Sequence, residues 1–470
     1  LGHLCEAGER KCAGVALVDG SGASRAYIEG NALATSGDRA SAIACFRAAL
    51  ALDPLHVGAL NNLGNLLRAD GDVSAAIACY RRVLAIRPEL SGTLNNLATA
   101  LLQVHRPDEA ADILGRAIAL RADDAEAWNG LGGAHLALDR PDAALGHFRR
   151  ALALDPALAN ARLGEAMALL TLGHLRDGFS AYESRWSDPG CLADEERYSQ
   201  PAWVGEDIAG QTILIHAEQG LGDSIQFCRY VPMVAARGAT VVLMAQPPLI
   251  RLFSGLVNQV IATGATPPKF DTHCPLLSLP HLFSTDLDTI PPSVAIAADP
   301  ARVAAWSERL GARVRPRIGI AFSGSAAHPD DALRSIPAGD LVAALSDIVA
   351  DVHVLQTDIR PTDAACLAAI PFVAVHAGAL EDFAETAALI AHMDLVVSVD
   401  TSVAHLAATL GRPTWILVQR AADFRWLRER ADSPWYPAAR LFRQSDIREW
   451  NGTLARIAAE LAAYPWGERD

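Results

Sequence analysis

VGALNNLGNLLRADGDVSAAIACYRRVLAIRPEL (57–90) runs directly into SGTLNNLATALLQVHRPDEAADILGRAIALRADD (91–124), and the two superpose over 34 positions. The period extends in both directions. Small residues fall in one column at Gly30, Gly64, Ala98 and Gly132 and in another at Ala42, Ala76, Ala110 and Ala144. A large residue recurs as Phe46, Tyr80, Leu114 and Phe148, and Pro54, Pro88 and Pro156 punctuate the ends. Small residues let two helices approach closely, large ones plug the neighbouring unit, and proline stops the second helix.

A helix-turn-helix unit with this period resembles the tetratricopeptide repeat, in four matched registers. The N-terminal part of the fold is therefore read as an α-solenoid over 23–188, divided as 23–56, 57–90, 91–124, 125–158 and a degenerate 159–188. In that last unit Ala166, Leu169 and Tyr182 keep register, Gly178 replaces the alanine, and the helix ends in YESRW (182–186) as a cap. Residues 1–22 read as a poorly ordered leader. Asn61-Asn62 and Asn95-Asn96 recur one period apart, so Asn62 and Asn96 are expected one above the other. Two readings stand open for them: contacts to an extended acceptor peptide, or bonds to neighbouring helices and water. Cys45 and Cys79 share one repeat position and read as small buried helix residues.

Composition excludes several classes. The chain has 470 residues, 51% of them hydrophobic, and a net charge of −14 with no basic run interleaved with aromatics, so nucleic acid is not an expected partner. No stretch offers the roughly 18 apolar residues of a membrane-spanning helix. The eight cysteines are scattered without a C-x-x-C pair, which points to a cytoplasmic setting and to no bound metal. Lys11 and Lys269 are the only lysines, so there is no Walker-type Gly-Lys loop, and lysine Schiff-base chemistry is not expected.

After Trp186 the texture changes, and Pro189, Gly190, Pro201, Gly205 and Gly210 mark a linker over 189–210. TILIHA (212–217) and TVVLMA (240–245) then flank a glycine-containing turn and a helical pattern, the start of a βαβ unit. A second series, RIGIAF (317–322), VHVLQT (352–357), PFVAV (371–375), DLVVSV (394–399) and PTWILV (413–418), alternates with helical segments. Parallel, doubly wound sheets follow, in two Rossmann-like halves over 211–305 and 306–445. A C-terminal helix and tail, 446–470, are expected to brace the first half.

Two turns could carry chemistry. In Gln219-Gly220-Leu221-Gly222-Asp223, Asp223 lies at a strand C-terminus where ligands bind in such sheets. It could equally start the helix and form a capping box with Gln226. Asp400-Thr401-Ser402-Val403-Ala404-His405 also opens a helix after a strand, and free N–H groups and hydroxyls there suit a pyrophosphate, with His405 one turn in. A capping hydroxyl with a buried histidine is the alternative. Ser323-Gly324 offers a close backbone approach and Arg334 a permanent positive charge.

Positions 197–450 resemble heptosyltransferase-like glycosyltransferases (family 9-like, of GT-B type), as found fused to tetratricopeptide repeats in bacteria. The motifs are EQGLGDSIQFCRYVP (218–232), FDTHCPLLSLP (270–280), FSGSAAHPDDALRSIP (322–337), VVSVDTSVAHLAATLGRP (396–413) and WYPAARLFRQ (435–444). The resemblance implies a catalytic Asp223, and a donor site at Asp400, Thr401, Ser402 and His405 with Ser323, Gly324 and Arg334 beside the diphosphate. It also implies an inverting, metal-independent transfer without a cofactor, from a nucleotide-diphosphate sugar to an acceptor, such as a protein presented by the repeats. Two departures stand out. The 325–333 loop reads SAAHPDDAL where relatives carry a further arginine, adding negative charge beside the diphosphate, and Asp423-Phe424-Arg425-Trp426 replaces Asp-Trp-Arg-Trp. A non-catalytic scaffold with a ligand-binding transferase-like domain is the competing reading. Lipopolysaccharide-core assembly ranks below both, since it would leave the repeats without a role.

Overall fold

The computed structural model describes residues 20–187, 198–294, 296–328, 330–447 and 449–466. The expected leader lies outside them except for its last three residues, as do residues 189–197 of the expected linker and the last four residues of the tail. The division between two compact units falls between Ala168 and Leu169.

The first unit is a helical solenoid built on the expected 34-residue period. Its helices are α1 (Gly20–Thr35), α2 (Arg39–Leu52), α3 (Val57–Ala69), α4 (Val73–Ile86), α5 (Ser91–Gln103), α6 (Pro107–Leu120), α7 (Ala125–Ala137) and α8 (Pro141–Leu154), with α9 (Ala159–Thr171) crossing the division. Start signals are local. Asp38, Asp72 and Asp124 each accept an N–H from the third residue on, at 3.1 Å, while Pro107 and Pro141 occupy first helical positions. The repeated small and large residues meet as the period requires: a Cβ added at Gly30, Gly64 or Gly132 would stand 2.6–2.7 Å from the ring of Phe46, Tyr80 or Phe148. A further column emerges in the turns, where Gly37, Gly71, His105 and Asp139 all adopt positive φ, 34 residues apart.

The second unit holds two parallel sheets. The first has the order β3-β2-β1-β4, from β1 (Thr212–His216), β2 (Thr240–Ala245), β3 (Gln259–Ala262) and β4 (Thr272–Pro275). The second has the order β10-β9-β8-β5-β6-β7, from β5 (Arg317–Ala321), β6 (Asp351–Val354), β7 (Val373–Val375), β8 (Leu395–Val399), β9 (Thr414–Val418) and β10 (Ala439–Arg443). Helices α11 (Leu221–Phe227), α12 (Pro300–Leu310), α13 (Ser402–Thr409) and α14 (Asn451–Ala462) lie among them. Strands β3, β4 and β10 go beyond the sequence expectation.

Three boundaries differ from that expectation. The 198–210 stretch is the edge of the first sheet, since Trp203 is buried and its N–H donates to the His273 carbonyl at 2.7 Å. Helix α14 does not brace the first half. Its Leu454, Ile457 and Leu461 share a buried cluster with Ile318, Val352 and Val397 of the second sheet, the apolar surface within its reach. Finally, α10 (Leu175–Tyr182), read from the sequence as part of the repeat cap, falls in the second unit, where Phe179 meets Phe227, Phe424 and Trp435 edge-on at 5.9–6.3 Å.

Candidate functional site

Strand β1 ends at His216, and the chain turns through Ala217–Gly220 into α11. Gly220 is the N-cap and Asp223 the third helical residue, its Oδ2 accepting the Gly220 N–H at 2.8 Å. The box expected between Asp223 and Gln226 is thus replaced by one that reaches backward. Gln226 is fully buried instead, and neither atom of its side-chain amide has a partner among the described residues. The other oxygen of Asp223 pairs with Arg425. That guanidinium is fixed by Asp423 (2.7 Å) and lies over the rings of Phe424 (4.4 Å) and Phe227 (5.4 Å). A carboxylate of the first half and a cation of the second are therefore joined directly.

The turn before α11 is held by the segment ahead of the sheets. Arg185 of YESRW makes a two-point ion pair with Glu218 (2.9 and 3.0 Å) and also binds Glu183 (2.7 Å) and Ser278 (2.7 Å). Glu218 further accepts the Leu277 N–H at 3.0 Å, and burial raises its carboxyl above the usual range despite the arginine. Gln219 donates to the Tyr182 hydroxyl at 2.6 Å.

In the second half, β8 delivers Asp400 and Thr401 to the start of α13. Thr401 is the N-cap and accepts the Val403 N–H, so the capping alternative describes it. Ser402 is half-buried at the first helical position. His405 is buried, its Nδ1 bonds the Tyr436 hydroxyl at 2.8 Å and its Nε2 lies 3.8 Å from Asp400 Oδ1. Burial and the nearby arginines hold it well below the usual imidazole range. It also sets the spacing of the halves, because a Cβ on Gly222 would come within 2.8 Å of its ring. Burial and the Asp423 charge push Asp400 up to about 6.

Ser323 is buried and its hydroxyl accepts from Gln356 at 2.7 Å, so its side chain braces the loop. Gly324 has the close approach foreseen for it, though to a side chain: a Cβ there would lie 2.4 Å from the Arg334 guanidinium. Arg334 donates to the Asp400 carbonyl at 3.2 Å, and its Nε has no partner among the described residues. The added acidity of the loop is partly cancelled, since Asp331 pairs with Arg360 and accepts the Ser335 hydroxyl at 2.7 Å. Away from this cluster, in the first unit, Asn62 donates to Asn31 at 2.7 Å, and the adjacent Asn95 leans toward Asp124 at 3.3–3.4 Å. Neighbouring-helix bonding therefore describes Asn62, while Asn96 is half-buried. Cys45 is buried on its helix, as read, and is also disulfide-bonded.

Comparison with known families fits this division. Residues 27–91 and 95–159 match the tetratricopeptide repeat, and residues 372–418 match glycosyltransferase family 9 (heptosyltransferase). The chain thus carries tetratricopeptide repeats in its N-terminal part and, in its C-terminal part, a segment similar to glycosyltransferase family 9. Protein FlbA of Caulobacter vibrioides is 27% identical over 344 residues, 65% of this chain and 56% of FlbA, so the chain spans little more than half of that relative. Among solved structures, MamA protein is 22% identical over 38% of this chain and 98% of its own (TM-score 0.33). TTC0263, a thermophilic TPR protein of Thermus thermophilus, is 21% identical over 37% and 95% (TM-score 0.32).

The family 9 segment contains β7, β8, α13 and β9, and with them Asp400, Thr401, Ser402 and His405. Asp223, Ser323, Gly324 and Arg334 lie outside it. Two residues of this site were not assigned from the sequence. Arg425 carried a readable signal as the cation of the DFRW motif, and Arg185 as a lone arginine between Glu183 and an aromatic at a helix end.

Proposed function

We propose that the second unit transfers a sugar from a nucleotide-diphosphate donor to an acceptor hydroxyl, by inversion and without a metal. Asp223 takes the hydroxyl proton as the oxygen attacks the anomeric carbon, and the nucleoside diphosphate leaves. Arg334 and the first amides of α13, with the Ser402 hydroxyl, stabilise the departing charge. Asp400, Thr401, Ser323 and Gly324 shape that region, and His405 and Gly222 hold the halves in contact. The acceptor, a protein in this reading, engages the repeats, with Asn96 the better-placed of the two asparagines. The observation that carries the reading is the Asp223–Arg425 pair, which brings a strand-end carboxylate of one sheet to the strand-end turn of the other.

A cytoplasmic setting rests on the free thiols of Cys79, Cys228, Cys274 and Cys366, against which the disulfide at Cys45 weighs. Among the described residues no helix is long and apolar enough to cross a membrane.

The test is turnover of a panel of UDP-, GDP-, ADP- and dTDP-sugars by the full chain. Asp223→Asn should lower transfer or donor hydrolysis by about 10²–10⁴ while leaving nucleoside-diphosphate binding in place. Absence of both binding and turnover, or an Asp223→Asn chain as active as the wild type, overturns the proposal. One observation favours a non-catalytic scaffold instead: both carboxylate oxygens of Asp223 already have partners. An ionised carboxylate keeps further acceptor sites, however, so the two contacts orient the group without exhausting it. Turnover that disappears in Asp223→Asn excludes the scaffold.

A further inference from the structure

The YESRW turn is buried more deeply than a cap on a repeat stack requires. Arg185 is 3% exposed and Glu218 6% at the side chain, and their pairing is two-pointed, with Glu183 and Ser278 completing the network. Tyr182 and Trp186 stack on the same guanidinium at 4.8 and 4.5 Å. A buried ion pair of this kind adds little stability over an apolar replacement, whereas it fixes geometry closely. What it fixes is informative. Glu218 and Gln219 are the two residues ahead of Gly220, the cap to which Asp223 is bonded. Gln219 is held twice, by the Tyr182 hydroxyl (2.6 Å) and through its carbonyl by Gln246 (2.6 Å). Phe179, one turn earlier, touches Phe227 of α11 and Phe424 beside Arg425, so the same helix meets both sides of the Asp223–Arg425 pair.

We infer that Tyr182 and Arg185 are positioning residues of the transferase site, acting through Gln219 and Glu218 to hold the 218–222 turn that presents Asp223. The inference deepens the transfer reading above and rests on it for its kinetic arm alone. A helix with repeat register thus serves the α/β site, which joins the site to the chain segment leading out of the solenoid.

The experiment compares the wild-type full chain with Tyr182→Phe and Arg185→Lys by amide hydrogen exchange and, in parallel, by kinetics. Tyr182→Phe deletes one oxygen and leaves the ring, so it decides the matter if Arg185→Lys does not fold. Loss of the Gln219 bond should speed exchange in 218–224 roughly two- to tenfold, with amides of β8 and β9 unchanged. Unchanged exchange in 218–224, or a uniform increase across the second unit, overturns the inference. With any nucleotide sugar that the wild type turns over, kcat should fall while KM for the donor holds. A raised KM with unchanged kcat counts against positioning. If the wild type turns over none of them, the transfer reading fails while hydrogen exchange still decides whether YESRW fixes the turn.

Discussion

At the residue scale, the site combines two groups whose protonation pulls stability in opposite directions with pH. Asp400 sits in the fold near 6 against an ordinary 3.8. Its stabilising contribution is therefore full below the unfolded value and is lost as pH rises through about 6. His405 is held below its ordinary value, so its contribution is present above about 6.5 and lost as pH falls. The two oppose each other between pH 4 and 7. Asp400→Asn leaves only the histidine, and relative to the wild type it should gain about 3 kcal/mol on going from pH 4 to pH 7. Urea unfolding of both chains across that range measures this directly. A stability difference independent of pH would mean that Asp400 titrates normally. Burial among arginines keeps His405 neutral, and its Nε2 faces the Asp400 carboxylate.

At the element scale, the repeats separate two uses of glycine that look alike in the sequence. Gly71 lies in the turn between α3 and α4 with φ of 89°, whereas Gly115 lies exposed within α6, with open space where a Cβ would stand. Gly71→Ala should destabilise the solenoid by about 1–2 kcal/mol, and Gly115→Ala should stabilise it by roughly 0.5–1 kcal/mol. Thermal unfolding of the two variants settles the sign of each. The solenoid was legible because one period repeats both its close contacts and its turns. Strands β1, β2, β8 and β9 were legible for a similar reason, being apolar and buried along nearly their whole length. Strand β4 was not. Thr272-His273-Cys274-Pro275 lacks a β-branched run, and it forms because β1 lies on one side and the 201–203 segment on the other. The turns carrying Asp223 and Asp400 were readable as strand-to-helix junctions. The Asp223–Arg425 pair was not, since it joins residues 202 apart in sequence and depends on how the two sheets pack.

At the scale of the whole molecule, the sequence period and the compact units place the boundary differently, and the difference is testable. Repeat register runs on to Tyr182, which suggests cutting the chain after 188 to isolate the α/β region. The second unit begins at Leu169, however, and α10 with YESRW contributes Phe179, Tyr182 and Arg185 to its interior. A fragment starting at 189 would leave Glu218 buried without its guanidinium, and such an uncompensated charge costs about 3–5 kcal/mol. It would also open the aromatic contact at Phe227, Phe424 and Trp435. The fragment 169–470 retains all of these partners. It should therefore give a cooperative thermal transition, while 189–470 should melt at lower temperature or fail to accumulate as folded protein. Equal melting of the two fragments would show that α10 belongs energetically with the repeats. If only the longer fragment folds, the last repeat-like helix is part of the second unit, and loss of activity on a cut at 188 reports on the integrity of that unit rather than on any role of the repeats.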